Sequence, residues 1–504
     1  MSEHSRQGVA ITAHRMGIDT YQEPVVFMRA DCHVCRSEGF QVQARVKVSA
    51  APRSLIATLN VVTDDLLAID QAGLSEVAWR ELGVKEGTEL TFAHPEPLSS
   101  FSNVRRKIYG AELEAPEYLD IVTDIVAGRY SPIELAAFLT TCAGERMSLQ
   151  EAVSLTRAMV ATGSTLKWPA DVVVDKHCIG GLPGNRTTPI VVAIAAAAGL
   201  TMPKTSSRAI TSPAGTADVM ETLAPVALDL VAMRHVVEQE GACIVWGGAM
   251  DLSPADDILI RVERPLDFDS DGQLVASVLS KKIAAGSTHV VIDVPIGATA
   301  KVRTPEAARG LINKLVAAGS AMGLDVRAVQ TQGTEPVGVG IGPALEAKDV
   351  VAVLKGDKAA PADLRDRALR LAAEILTLGR NTRGTGLTEA ARILDSGEAW
   401  RKFQAICEAQ GGLRSPPSAP FTRDFTAPAK GRIAAIDNRK LARVAKLAGA
   451  PVSSAAGLEM RARIGEVVAK GQPLFTLHAQ TPGEMAYAAE YAEGQGAPFQ
   501  LEPI

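Results

Sequence analysis

A glycine-rich segment between a short apolar strand and an alanine-rich helix constrains the fold more than any other feature of this sequence. Residues 171–175 (DVVVD) predict a buried strand, and residues 189–200, which are apolar and rich in alanine, predict a buried helix. Between them, residues 176–188 contain three glycines, a lysine and two threonines. Strand patterns continue to alternate with helical patterns downstream, at 242–246, 289–294 and 325–330. This alternation predicts an α/β domain with a mixed, largely parallel sheet.

The glycine-rich segment has the composition of an anion-binding loop. Glycines allow backbone N–H groups to turn toward a ligand, a helix N-terminus adds positive potential, and Lys176 adds a full charge. An NTPase phosphate loop is the main alternative, but it requires a glycine and a lysine where this chain has Asn185 and Arg186. A second loop at 204–218, rich in hydroxyl groups and containing Arg208, follows one β-α unit later. Both loops are expected at the same edge of the sheet, where they could hold one anion.

These motifs resemble those of the thymidine and pyrimidine-nucleoside phosphorylase family. The resemblance covers roughly residues 1–500 and rests on several motifs in a fixed order. They are Asp175-Lys176-His177 with Gly180-Gly181, Gly215-Thr216 with Asp218, Ser253 to Asp256, Ser280 to Lys282, and residues 340–346. The forms at 181–188 and 206–216 resemble the long branch of the family, which includes AMP phosphorylases and type 2 thymidine phosphorylases.

The resemblance implies a pentosyltransferase reaction, thymidine + phosphate = thymine + 2-deoxyribose 1-phosphate. Phosphate attacks C1′ while the base departs, so the anion must be held in line with the breaking bond. The leaving base also needs a proton or hydrogen-bond donors as negative charge develops on it. Such a reaction implies no cofactor and no metal, because inorganic phosphate is a co-substrate.

Matched residue by residue, the resemblance assigns a role to each candidate side chain. The implied catalytic residues are Asp269, as proton donor, and His177, near the sugar and base. The implied phosphate-binding residues are Lys176, Thr188, Ser206 and Thr216. The implied substrate-binding residues are Gly181, Ser207, Arg208, Ala209, Ile210, Thr211, Ser212, Ser277, Lys281 and Lys301. Without the resemblance, Asp269 would be interpreted as part of a helix N-cap and Lys281 as part of a solvated helix face.

Two departures from the family pattern leave the substrate open. Cys178 stands where the short-form family has a serine, and a thiol is a weak donor for phosphate. Glu263, flanked by Arg261 and Arg264, falls near the family's base-binding arginine. An alternative substrate is a nucleoside 5′-monophosphate such as AMP, giving base and ribose 1,5-bisphosphate, with Arg208 on the 5′-phosphate. A non-catalytic nucleotide-binding scaffold is the alternative from another functional class.

Composition narrows the partners and the compartment. Lys+Arg 52 against Asp+Glu 57 gives a net charge of −5, which does not favour nucleic acid or an anionic membrane. Six cysteines in 504 residues do not form a disulfide framework, and a lone Cys32/Cys35 pair is interpreted as reduced thiols rather than as a zinc site. The start has no apolar core, and the longest apolar stretch is too short to span a membrane. We therefore expect a cytoplasmic enzyme with small-molecule substrates.

The predicted fold class is multidomain α/β, with a small α-helical domain beside a large α/β domain. The predicted domains are an N-terminal β-rich domain at 1–90, a helical domain at 96–163 and 252–284, an α/β phosphate-binding domain at 165–250 and 285–415, and a C-terminal α+β domain at 425–504. The C-terminal region resembles a biotinyl/lipoyl-type sandwich without its modifiable lysine, so we interpret it as structural. The family resemblance also implies a homodimer or a larger homo-oligomer.

Overall fold

The computed structural model describes residues 11–209, 212–250, 252–266, 270–380, 385–494 and 497–504. The chain forms two compact units, Met1–Thr141 and Cys142–Ile504. Among the described helices, none is long and apolar enough to cross a membrane.

The first unit contains a closed six-stranded barrel. Its elements in chain order are β1 (Ile11–Arg15), β2 (Val25–Arg29), α1 (His33–Glu38), β3 (Arg45–Ala50), β4 (Arg53–Val62), β5 (Gln71–Leu74), α2 (Glu76–Leu82) and β6 (Glu89–Ala93). The strand order around the barrel is β1-β5-β2-β4-β3-β6. Apolar side chains such as Val46, Val48, Ala57 and Leu59 alternate inward and form the barrel's own core. The β-rich N-terminal region expected from the sequence is therefore a barrel.

Three helices follow the barrel: α3 (Phe101–Ile108), α4 (Ala115–Val126) and α5 (Pro132–Cys142). A capping box stands at the start of α5, since Glu134 N donates to Ser131 Oγ and Ser131 N donates to a Glu134 carboxylate oxygen.

The second unit carries a parallel sheet with helices around it. The elements of this part are α6 (Leu149–Ala161), β7 (Val174–Cys178), α7 (Thr188–Ala197), β8 (Met202–Ser206), α8 (Thr216–Glu221), α9 (Leu230–Glu240), β9 (Ala242–Trp246), α10 (Pro254–Leu266), α11 (Asp271–Ala284), β10 (His289–Ile296), α12 (Pro305–Ala321), β11 (Asp325–Gln332), β12 (Gly340–Ile341), α13 (Pro343–Lys355), α14 (Ala362–Arg380), α15 (Gly386–Asp395) and α16 (Glu398–Ala409). β9 pairs with β8, a bridge between Thr201 and Val173 leads to β7, and β10 and β11 complete the order, all in parallel.

The core of this sheet forms around α7. Residues 188–196 of α7 are all buried, and α14 and α16 contribute Leu371, Ile375 and Phe403 to the same cluster. A helix that is apolar on every side is stable only when it is surrounded by protein. The N-terminus of α7 is thereby fixed at the carboxyl edge of the sheet, where β7 and β8 end.

The chain ends in two antiparallel sheets with two helices. Their elements are β13 (Phe421–Thr426), β14 (Gly431–Ile436), α17 (Asn438–Leu447), β15 (Gly457–Met460), β16 (Val467–Val468), β17 (Pro473–Ala479), α18 (Pro482–Glu493) and β18 (Phe499–Glu502). One sheet has the order β12-β15-β17-β13, so β12 leaves the α/β region and pairs with strands of the C-terminal region. The multidomain α/β fold class is confirmed.

Candidate active site

Lys176 and His177 lie in a strand rather than in the loop that the sequence predicted to begin after residue 175. β7 starts at Val174 and continues to Cys178 because it pairs with β10, whose Val291 and Ile292 stand opposite Lys176 and His177. Backbone pairing with a distant strand is not visible in the local apolar pattern. Side chains of adjacent strand residues point to opposite faces of a sheet, so Lys176 and His177 meet different neighbours on the two faces of β7.

On one face, Lys176 meets the hydroxyl groups at the start of α7. Lys176 is fully buried. Its Nζ donates to Thr187 Oγ1 at 2.8 Å and reaches Thr188 Oγ1 at 3.5 Å. Within the described part of the chain, this ammonium group makes no ion pair with a carboxylate. A buried positive charge held only by hydroxyls is electrostatically unsatisfied and favours an anion beside it.

Arg186 connects the glycine-rich segment at 176–188, the first loop, to the second loop at 204–218. Its guanidinium donates to Thr216 Oγ1 at 2.6 Å and to the carbonyl of Ala214 at 2.8 Å. Thr216 is the first residue of α8, so its hydroxyl lies at a second helix N-terminus. The predicted phosphate residues Lys176 and Thr188 are thus in direct contact, and Thr216 is joined to the same loop through Arg186.

Two buried polar atoms near these loops lack hydrogen-bond partners among the described residues: Ser206 Oγ, at the end of β8, and Asn185 Oδ1. Buried polar atoms are normally hydrogen-bonded, and an unpaired one costs free energy. The Asn185 amide nitrogen, by contrast, donates to Asp293 Oδ2 at 2.9 Å. The Ser206 hydroxyl is therefore available to bind a ligand.

Close backbone packing fixes the shape of the first loop. Gly181 has φ +79°, and a Cβ there would lie 2.4 Å from the backbone N of Lys301. Gly184 has φ +71°, and a Cβ there would lie 2.0 Å from the carbonyl O of Val337. Both positions therefore require glycine. The first contact also brings the predicted substrate residues Gly181 and Lys301 together.

The C-terminal region supports the segment that packs on Gly184. Val337 N donates to Pro183 O at 3.2 Å. Arg463, which precedes β16, donates to the carbonyl of Pro336 at 2.7 Å and to the carbonyl of Gly338. Hydrogen bonds thus connect the first loop to the segment at 336–338 and that segment to Arg463.

On the other face of β7, a cluster of lysines surrounds Asp175 and His177. Asp175 pairs with Lys204 at 3.1 Å and with Lys282 at 2.7 Å, and all three side chains are buried. Burial alone raises the pKa of Asp175, but the two lysines outweigh burial and hold that pKa below its usual value. Burial also lowers the pKa of Lys204, and Asp175 offsets this only in part. The pKa of Lys204 falls to about 7, so this lysine loses its proton far more readily than an exposed one.

His177 is half-buried beside this cluster. Burial, followed by the charges of Lys282, Lys204, Lys281 and Lys176, holds the pKa of His177 well below its usual value. The imidazole is therefore neutral at physiological pH and can offer one N–H donor and one acceptor to a substrate.

Two predicted substrate residues, Ser277 and Lys281, lie on α11. Ser277 and Lys281 are half-buried and lie one helical turn apart. Lys281 Nζ pairs with Asp256 of α10 at 2.5 Å. Burial lowers the pKa of Lys281, but Asp256 more than restores it, so the net shift is upward and Lys281 stays charged. Because Lys281 acts on the pKa of His177, the two side chains share one electrostatic environment.

The remaining residues of the second loop make contacts within the protein. Arg208 donates to both carboxylate oxygens of Glu221, at 2.6 and 2.9 Å, and lies 4.9 Å from the ring centroid of Trp246. Ala209 N donates to Asp218 Oδ2, and Ser212 Oγ donates to Ala214 O, whereas Ser207 is exposed.

A cavity of about 600 Å³ lies beside Arg208, Arg414 and Val452, away from Lys176. Ile210, Thr211 and Asp269 lie outside the described residues.

Several residues of this site were given no catalytic or binding role by the sequence or by the resemblance. They are Asp175, Asn185, Arg186, Lys204, Asp256, Lys282, Asp293 and Glu346. Some of their contacts join residues more than a hundred positions apart, as in Lys282 with Asp175, and no local pattern reveals such contacts. The one available signal was an aspartate and a lysine at the end of an otherwise apolar strand, since charged residues are rarely fully buried unless they are paired.

Cys178 is not a reactive nucleophile in this arrangement. Burial and the nearby charge of Asp293 raise the pKa of the Cys178 thiol to about 11. Its Sγ accepts a hydrogen bond from Asn185 Nδ2 at 3.3 Å. A protonated, hydrogen-bonded thiol is a packing group rather than an attacking thiolate.

Comparison with known proteins places the chain in a family. Residues 103–163 match the helical bundle domain of a glycosyl transferase family, residues 170–400 match the a/b domain of that family, and residues 432–495 match the pyrimidine nucleoside phosphorylase C-terminal domain. A protein named "Putative thymidine phosphorylase 1" from Acidovorax sp. (strain JS42) is 60% identical over 99% of this chain and 98% of its own length. "Putative thymidine phosphorylase" from Maricaulis maris (strain MCS10) is 56% identical over 98% of this chain and 95% of its own length.

Solved structures with a similar fold are more distant in sequence. Anthranilate phosphoribosyltransferase from Thermus thermophilus superposes with a TM-score of 0.50 at 21% identity, covering 61% of this chain and 98% of its own. At this identity the similarity shows only the fold. The sequence relatives and the matched domains together identify the chain as a pentosyltransferase that belongs to the thymidine and pyrimidine-nucleoside phosphorylase family.

Proposed function

We propose that the protein catalyses the phosphorolysis of thymidine to thymine and 2-deoxyribose 1-phosphate, with inorganic phosphate as co-substrate and no cofactor. The observation that carries the proposal is the buried ammonium group of Lys176, which faces hydroxyls at a helix N-terminus instead of a carboxylate among the described residues. Phosphate is the small anion that matches such a group, and its affinity there is increased by the low dielectric of the site.

Lys176 and the hydroxyls of Thr188, Ser206 and Thr216 hold the phosphate in this proposal. One phosphate oxygen attacks C1′ of the sugar, and the bond between C1′ and the base nitrogen breaks with its electrons going to the base. Positive charge develops on the sugar ring, and the adjacent phosphate dianion stabilises it. Gly181, Lys301 and the second loop line the sugar side of the site. The proposal includes a homodimer or a larger homo-oligomer, in keeping with the resemblance.

The departing base is stabilised from the α11 side. Ser277 and the charged Lys281 offer donors to the base carbonyls, and neutral His177 offers a hydrogen bond near the sugar and base. Asp269, which the resemblance assigns as proton donor, completes the set. Delivery of a proton or of hydrogen bonds to the base as its charge grows lowers the barrier for its departure.

The contacts of Arg208 favour a nucleoside over a nucleoside 5′-monophosphate. Its guanidinium already donates to Glu221 and Asp218, so its charge is matched by two carboxylates. A 5′-phosphate placed against Arg208 would have to displace Glu221 and would lie near two negative charges.

Separate incubations of the purified protein with thymidine, AMP, CMP and UMP, each with and without phosphate, test the proposal. We expect phosphate-dependent release of thymine from thymidine. Release of adenine from AMP with no reaction of thymidine would replace the proposed substrate. Release of base without phosphate would contradict phosphorolysis, and absence of turnover with every substrate would favour a nucleotide-binding scaffold.

A further inference from the structure

Arg186 occupies the junction of three segments that are distant in sequence. It belongs to the first loop, it donates to Thr216 Oγ1 and Ala214 O in the second loop, and its Nε donates to Glu346 Oε2 of α13 at 2.8 Å. Its side chain is 12% exposed and that of Glu346 is 1% exposed. All three guanidinium nitrogens have defined partners, so the position of the side chain is fixed.

Glu346 is itself held by the chain around it. Its second carboxylate oxygen accepts from the backbone N of Gly342, the residue that precedes α13. Burial raises the pKa of Glu346, and the charge of Arg186 opposes that shift. A carboxylate in this position serves as a fixed anchor for Arg186 rather than as a solvated surface charge.

The hydrogen bond to Thr216 defines where the hydroxyl oxygen of that residue lies. Thr216 Oγ1 accepts from Arg186, so its own O–H remains to be donated to another acceptor. Arg186 therefore fixes both the position of the oxygen and the availability of the Thr216 proton. The backbone of Arg186 directly precedes Thr187 and Thr188, the hydroxyls that meet Lys176.

We propose that Arg186, anchored by Glu346, is a positioning residue that sets the Thr216 hydroxyl for phosphate and thereby makes one anion site out of the two loops. The inference rests on the proposed function, because it assigns Arg186 a role in the phosphate site of that reaction. Arg186 acts through Thr216 and does not itself need to touch the phosphate.

Replacement variants separate this role from a general contribution to folding. In Arg186→Lys, one ammonium group can pair with Glu346 but cannot also reach Ala214 and Thr216 in a fork. We expect the KM for phosphate to rise by about tenfold or more, the KM for thymidine to change by less than about twofold, and the melting temperature to stay close to that of the wild type. Arg365→Met is the matched control, since Arg365 pairs with Asp395 at the surface of the same unit, and its kinetics should match the wild type.

A double-mutant cycle tests whether Arg186 acts through Thr216. Thr216→Val alone should raise the KM for phosphate, and combining it with Arg186→Lys should add little, because the second change removes an interaction that is already lost. Additive effects, or a KM for phosphate that is unchanged in Arg186→Lys, would overturn the inference. Glu346→Gln, which retains an acceptor for Gly342, should reproduce the Arg186→Lys phenotype more weakly.

Calorimetric titration with inorganic phosphate keeps this test separate from the identity of the nucleoside. If the wild type binds phosphate but turns over none of the nucleosides, the proposed function fails, and the phosphate affinities of the same variants still decide the role of Arg186. If the wild type binds no phosphate, the two-loop anion site fails and the role of Arg186 fails with it.

Discussion

Lys176 combines a cost to folding with an expected benefit to function. Its ammonium group is fully buried, and its partners are the hydroxyls of Thr187 and Thr188. Burying a charge without an opposite charge is unfavourable, and residues selected for activity are often destabilising for this reason. A rise or fall in stability after substitution of Lys176 therefore tests whether its buried charge destabilises the folded protein.

Lys176→Met should abolish activity without lowering stability. We expect kcat/KM to fall by about 10²–10⁴-fold, because the charge that binds and orients the anion is gone. The melting temperature in phosphate-free buffer should be equal to or higher than that of the wild type. Added phosphate should raise the melting temperature of the wild type but not that of Lys176→Met. Lys402→Met, which removes a lysine from a partly buried ion pair with Glu240, is the control and should keep both activity and the phosphate response.

The lowered pKa of His177 predicts how the stability of the protein depends on pH. Its folded-state pKa is held well below the usual value, whereas in the unfolded chain it is about 6.5. Below about pH 6.5 the unfolded chain takes up a proton that the folded protein does not, so acidification favours unfolding. Thermal unfolding should show a smaller fall in melting temperature between pH 7.5 and 5.5 for His177→Gln than for the wild type. Parallel curves for the two proteins would show that His177 is not buried in its neutral form.

At the scale of elements, the glycines of the first loop differ in how closely other backbone segments pack against them. Gly180 and Gly184 both have positive φ, but a Cβ at Gly180 meets nothing within 4 Å, whereas at Gly184 it would meet the Val337 carbonyl. Gly180→Ala should therefore cost about 1–2 kcal/mol from backbone strain alone. Gly184→Ala should cost clearly more, since a backbone segment must also move. Chemical denaturation of both variants measures the difference, and equal losses would mean that Val337 yields freely.

Structural features whose determinants are local can be predicted from the sequence. The capping boxes of α5 and α6 involve Ser131 with Glu134 and Ser148 with Glu151, three residues apart in each case, and both are present. The helical segment expected at 252–284 contains two helices, α10 and α11, and Pro265 lies inside α10 near its end. Proline removes one intrahelical hydrogen bond, because it lacks an N–H donor.

Determinants that are distant in sequence explain what the sequence did not reveal about the site. Lys281 and Lys282 are adjacent on α11, yet one pairs with Asp256 and the other with Asp175. Helical periodicity cannot separate these two roles, because they depend on which strand and which helix pack against α11. The resemblance assigned a role to Lys281, and the packed structure shows what Lys282 and Arg186 contact.

At the scale of the whole molecule, the barrel of the first unit has its own core. Buried residues of its strands and of α1 and α2 form a closed cluster, and the strand order leaves no open edge. A fragment of residues 1–95 has about the size of a small independent domain. It should fold alone, with a cooperative thermal transition and dispersed amide resonances. A random-coil spectrum from this fragment would show that the barrel needs the rest of the chain.

The pairing of β12 with β15 has a consequence for how this protein can evolve. Residues 336–342 are bound on one side to the first loop, through Pro183 and Gly184, and on the other to Arg463 and β15. Recombination at the proline-rich linker before β13, residues 415–420, would leave β12 without its partner strand β15 and would loosen the first loop. The C-terminal region is thus not an independent module that can be exchanged between proteins. Substitutions on the two sides of the linker should be correlated.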